Sequence, residues 1–212
     1  MNRHVQLTAA IVCSAALGGC ATPSTDARDG VEPGFFLTSE NPGNGANLGG
    51  LAGADAHCTA LADAAGLTGR TWAAYLSSSD EDARERIGRG PWHNVDGVLV
   101  AEDVEQLHDA AANNLAKETS LSESGDVVNG RGDEPNRHDI LTGSATDGTL
   151  AGEACDDWTS QGEGSAMVGH HDRTGGGDDP SSWNSAHGSR GCGIEDLRAT
   201  GGDGLFYCFA TD

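Results

Sequence analysis

The chain is short of lysine, of aromatic residues and of long apolar runs. Lys117 is its only lysine, and 12 basic residues stand against 33 acidic ones for a net charge of −21. A surface of that sign repels nucleic acid and anionic lipid headgroups, which argues against DNA or RNA as partners. The acids are spread along the chain rather than clustered, as on a solvated acidic surface. Aromatic residues make up 5% of the chain and hydrophobic ones 36%, whereas glycine occurs 32 times. That composition argues against a helical bundle and points to a loop-rich domain. G-x-S-x-G, H-E-x-x-H and C-x-x-C are all missing. The nucleophile elbow of serine hydrolases, the helical zinc-protease site and close-paired zinc cysteines are therefore not written here. With no thiol left over as a nucleophile, the expectation is a non-enzymatic protein.

What is present begins at the N-terminus. Arg3 supplies a positive charge, and Val5 to Leu17 form a mostly apolar run of 13 residues. A run of that length is too short to cross about 30 Å of hydrocarbon as a helix, but it suits the core of a signal peptide. It leads into Leu17-Gly18-Gly19-Cys20, which resembles a bacterial lipobox. The resemblance implies removal of residues 1–19, lipid on Cys20, and a tether over 20–33 built from small, polar and proline residues. Ala21 is not the Asp that marks inner-membrane retention. The expected location is the cell envelope, lipid-anchored at the outer membrane and facing the periplasm or the exterior.

Residues 34–212 read as one domain. Four cysteines remain there, Cys58, Cys155, Cys192 and Cys208. Outside the cytoplasm an even count reads as two disulfides, with three pairings open. Gly34 to Ser39 reads as a strand. Leu51, Ala54, Cys58, Leu61, Ala62 and Ala65 recur at three- and four-residue steps, which predicts a helix over 51–67. Residues 71–76 read as a strand, and Ser79 with Asp82 reads as a capping box for a short charged helix. Asp96-Gly97 between Pro91–Val95 and Val98–Ala101 signals a hairpin, and 103–109 a short helix. From 110 to about 203 polar and glycine residues dominate, with 140–142 and 166–168 as short strands. Residues 205–210 form the last strand.

That order, with N-L-G-G-L-A-G-A-D-A-H-C at 47–58, W-A-A-Y-L-S at 72–77, G-P-W-H-N-V-D-G at 90–97, L-T-G-S-A-T-D-G-T at 141–149, C-D-D-W-T-S at 155–160 and L-F-Y-C-F at 205–209, resembles the C-type-lectin-like fold. More closely, it resembles a bacterial family of secreted lectin-like domains distantly similar to endostatin. The resemblance implies an α+β domain with paired N- and C-terminal strands, two helices and a long irregular loop region. It also implies nested disulfides, Cys58–Cys208 and Cys155–Cys192, and a domain that binds an extracellular glycan or surface protein. The alternatives are a structural envelope lipoprotein without a specific ligand, and a hydrolase built from loop residues.

Calcium-dependent lectins of this fold coordinate the ion through Glu-Pro-Asn and Trp-Asn-Asp. Here Glu134, Asn136 and Asn184 match, while Ser185 stands at the place of the Asp. The resemblance thus implies a candidate calcium and ligand site on Glu134, Asn136 and Asn184, one carboxylate short of the pattern. Glu-Pro-Asn is also a generic turn tripeptide. Arg131-Gly132-Asp133 is an integrin-type tripeptide that arises easily in such a composition. His170-His171-Asp172 with His187 follows no recognised ligand spacing, and adjacent histidines on an irregular segment point apart. The expectation for them is a solvated loop.

Overall fold

The last nine residues before the C-terminal dipeptide organise the domain. From 202 to 210 odd and even side chains both go inward: Leu205, Tyr207 and Phe209 enter one apolar cluster, Phe206, Cys208 and Ala210 another. A strand buried on both faces must have cover on both, and period-two alternation divides its side chains between them. The computed structural model describes residues 30–212 and Met1. The signal segment, Cys20 and most of the tether lie outside the described residues.

In chain order the described residues form β1 (Phe35–Leu37), α1 (Gly50–Ala64), β2 (Trp72–Ala74), α2 (Ala83–Arg86), β3 (Trp92–His93), β4 (Leu99–Ala101) and α3 (Val104–His108). There follow β5 (Asp139–Leu141), α4 (Cys155–Trp158), β6 (Met167–His170), β7 (His187–Gly188), α5 (Ile194–Thr200) and β8 (Gly202–Ala210). The domain is α+β, with five helical segments rather than two. The main sheet runs β1-β8-β5-β6-β7, and β2 also pairs with β8. β1 and β8 are antiparallel, with Phe36 opposite Cys208, so the first and last strands are paired. β3 and β4 form a separate hairpin, in which Asn94 accepts the amides of Asp96 and Val98 and so shapes the Asp96-Gly97 turn. Among the described residues no helix is long and apolar enough to cross a membrane.

One face of the sheet is covered by α1, which buries Ala54, Cys58, Leu61 and Ala62. The helix stops at Ala64, short of the expected 67, because Gly66 takes the left-handed conformation. Leu67 then folds back to bond Ala62 O at 2.8 Å. This is the glycine-terminated ending typical of helices. The opposite face is covered by Tyr75, Trp92, Leu107, Trp183 and the hairpin. The expected capping box is replaced by a different arrangement. Asp82 is the N-cap of α2, yet its carboxylate accepts the amide of Leu150 at 2.7 Å, while Ser79 bonds Asp157.

The two disulfides are Cys58–Cys208 and Cys155–Cys192. The second anchors an unusual turn: Cys155, Asp156, Asp157 and Trp158 all have φ between 49° and 67°, so α4 is left-handed. For residues with a Cβ this costs about 1–2 kcal/mol each. The offsetting contacts are the Cys155 crosslink, the Asp157 carboxylate on Ser79, and buried Trp158, whose Nε1 donates to Ser77 O at 2.9 Å. The 90-residue polar stretch also holds α5 and β7, whose short runs leave little periodicity to read.

The disulfides close loops of 150 and 37 residues. Chain entropy then assigns them about 5 and about 4 kcal/mol. Urea unfolding should show the larger loss for Cys58→Ala/Cys208→Ala and the smaller for Cys155→Ala/Cys192→Ala. A loss below about 1 kcal/mol for the first pair would contradict this ranking.

Candidate metal centre

Where β5, β6 and β7 begin or end, four chemistry-bearing side chains meet. Asp139 opens β5 and lies opposite His170, the last residue of β6. Directly opposed residues on antiparallel strands share a face. His187 opens β7 opposite Val168, two residues from His170 on the same face, which brings it in diagonally. His138 lies before the strand and so escapes the alternation that would send it away from Asp139.

The geometry converges on a single oxygen. Asp139 Oδ1 is 3.0 Å from His138 Nε2, 3.3 Å from His170 Nε2 and 3.5 Å from His187 Nε2. The donor atoms of His138, Asp139 and His170 all lie within 4.8 Å of one another. His187 stands just outside that group, and at 22% side-chain exposure it faces solvent, whereas the other three are buried. The rings of His138 and His170 stack at 4.4 Å.

Two of the three outer nitrogens are held by a carbonyl. His170 Nδ1 faces Pro180 O at 2.9 Å and His187 Nδ1 faces Gly188 O at 3.1 Å. A carbonyl only accepts, so both of these outer nitrogens carry a proton; Nε2 then donates to Asp139 when protonated and offers its lone pair when a metal takes the proton's place. His138 Nδ1 lies 3.5 Å from Asp172 Oδ1, a charge contact rather than a formed hydrogen bond. Asp172 is itself fixed by the amides of Arg131 (2.6 Å) and Thr174 (3.1 Å).

In and around the cluster several polar atoms lack partners. Both carboxylate oxygens of Asp139, His138 Nδ1 and His170 Nε2 are buried without a hydrogen bond. Each such atom costs roughly 1–3 kcal/mol and calls for an ion or water. Burial pushes the Asp139 carboxyl upward, but His170, His187 and His138 outweigh it and hold the carboxyl below its ordinary range. Asp172 is likewise lowered, since His138 and its two amides overcome its desolvation. His187 is raised, chiefly by Asp139, and His171 is lowered by burial.

A dication answers this arrangement. Four donors about 2.0–2.1 Å from zinc sit about 3.3 Å apart at the corners of a tetrahedron. The distances from Asp139 Oδ1 to His138 Nε2 and His170 Nε2, 3.0 and 3.3 Å, match that edge for three of the four corners. Histidines that present one nitrogen inward and fix the other on a carboxylate or carbonyl are the usual pattern around a bound metal. Imidazole and carboxylate together suit zinc and its neighbours, not calcium with its six to eight oxygens.

The expectation of a solvated loop for His170-His171-Asp172 is therefore corrected. His170 and His171 are fully buried. They do point apart, His170 toward Asp139 and His171 toward Asn129 O at 3.1 Å. The calcium-type residues go to different places. Glu134 is exposed. Asn136 lines a pocket beside His138 and accepts the His138 amide. Asn184 is buried, giving its amide to Tyr75 and the carbonyls of Ala145 and Thr146 and accepting from Ser182. Asp133 of the Arg-Gly-Asp tripeptide is taken by Lys117 at 2.5 Å. The residues that sequence reasoning passed over are His138 and Asp139. Their signal was faint: a His-Asp pair directly before the strand-like run Ile140-Leu141-Thr142.

No protein-family model and no curated protein matches the chain, so the site is read from its own chemistry.

Two glycines let this site close. A Cβ on Gly169, beside His170, would lie 1.8 Å from Trp183 O, and one on Gly175 would press on both the His170 and His138 rings. Gly169→Ala should destabilise the domain by about 3 kcal/mol in urea unfolding. A near-neutral outcome would mean that β6 is not held this close to residue 183.

Proposed function

We propose that this chain is a metal-binding domain, displayed outside the cytoplasm on a lipid anchor at Cys20, that recognises an extracellular glycan or protein. The ion is a divalent transition metal, zinc in the first place. It is held by His138 Nε2, Asp139 Oδ1 and His170 Nε2, with His187 beside it. One observation carries this reading: the Nε2 atoms of His138 and His170, with that of His187 behind them, turn onto one buried Asp139 oxygen that lacks a hydrogen bond, and His170 and His187 fix their outer nitrogens on carbonyls.

Two disulfides support an oxidising compartment. Their nested order, with paired first and last strands, supports a C-type-lectin-like arrangement. The ion would sit where β5, β6 and β7 meet their connecting loops and would fix the face that meets a ligand. Binding is favoured over catalysis because both buried carboxylates here are committed, Asp139 to the ion and Asp172 to His138 and two amides. Neither remains beside the metal as a free general base.

Isothermal titration with zinc should give one ion per chain. At free zinc a hundredfold above the dissociation constant, unfolding stability should rise by about 2.7 kcal/mol. His170→Ala should abolish binding, Asp172→Asn should weaken it about 10–100-fold, and Glu134→Ala should leave it unchanged. Absent zinc uptake, or undiminished uptake by His170→Ala, contradicts the reading.

A further inference from the structure

A pocket of about 390 Å³ opens beside the cluster, lined by Arg131, Asn136, His138, Gly176, Gly177, His187 and Thr200. His138 and His187 give the pocket its contact with the cluster. Gly176 and Gly177 bring no side chains, so nothing on that wall fills the space.

Three buried donors leave a tetrahedral ion one position short, which is how zinc sites that take a ligand differ from closed structural ones. The partly exposed His187 marks the side from which the centre is reached. Arg131 is exposed, and its guanidinium has no ion-pair or hydrogen-bond partner among the described residues. In a chain with 12 basic and 33 acidic residues, an unpaired guanidinium beside a cationic centre is a local reversal of charge. The fork of a guanidinium matches a carboxylate in two parallel hydrogen bonds. The surrounding field, at net charge −21, penalises a dianion more than a monoanion, which favours carboxylate over phosphate. The volume suits one sugar ring or a terminal residue rather than a longer segment.

Resting on the metal reading above, we propose that the ion keeps its fourth position open toward this pocket and that a monoanionic carboxylate takes it, with Arg131 as counter-charge. Two sources carry that group, an acidic sugar and a peptide C-terminus.

The test is the full chain loaded with cobalt(II), whose visible spectrum reports coordination. It is titrated with glucuronate, with N-acetyl-alanylglycine and, as a neutral control, with glucose. Saturable spectral change with either carboxylate and none with glucose is the expected result, and the tighter of the two identifies the source. Arg131→Gln, at an exposed position, should weaken that response about 10–100-fold while leaving cobalt uptake intact. His187→Ala should keep cobalt. The proposal is overturned if bound cobalt is indifferent to both carboxylates, if Arg131→Gln responds as the parent does, or if His187→Ala loses the ion. The last result would make His187 the fourth ligand and the site closed. Failure of the parent chain to take up cobalt would instead overturn the metal reading itself.

Discussion

Strand β8 and the Cys58–Cys208 bond are the constraint on which the other elements depend. Cys208 lies between Tyr207 and Phe209 in a strand that pairs with β1 and β2 at one end and with β5 at the other. The crosslink fixes α1 to this strand, so the helix cannot leave the sheet without breaking the pairing of the termini. β5 in turn takes its register from β8, with Asp139 opposite Gly202 and Leu141 opposite Phe206. The position of Asp139 is therefore inherited from the C-terminal strand. With few aromatics and many glycines, the domain draws a large share of its net stability from such links.

From β5 the same logic runs to the site. β6 pairs with β5 and β7 with β6, and each strand delivers one group to a common point. The resulting cluster would be costly if it were left empty. A buried carboxylate at 2% exposure, with three imidazole nitrogens turned on it, is a poor substitute for packed apolar side chains. Sequences keep such arrangements where an ion compensates them. Gly175 adds to this, since its loop lies against the edges of two imidazoles where any side chain would collide.

Much of the frame was legible in the sequence, and the reasons are physical. Phe35-Phe36-Leu37, the spacing of Ala54, Cys58, Leu61 and Ala62, the Asp96-Gly97 turn and Leu205–Ala210 are local signals. Each is contained within a few residues, and each became the expected element within a residue or three at its ends. The nested disulfides were expected from a resemblance rather than from spacing, and Cys58–Cys208 and Cys155–Cys192 are the pairs formed. The site was not legible for the opposite reason. His138, Asp139, His170 and His187 have no mutual periodicity, and what joins them is pairing between β5, β6 and β7. Two of those strands are only two or three residues long. His170-His171 looked like a polar loop because nothing local tells that β6 runs on to His170. α5 hid similarly, with Leu197 its only buried residue.

The central claim is that His138, Asp139 and His170 hold a metal ion. X-ray absorption at the zinc edge of the zinc-loaded chain tests it most directly. The expected first shell contains nitrogen and oxygen at about 2.0–2.1 Å, no sulfur, and the multiple-scattering signature of at least two imidazoles. A shell of six oxygens at longer distance, with no imidazole signature, would contradict it.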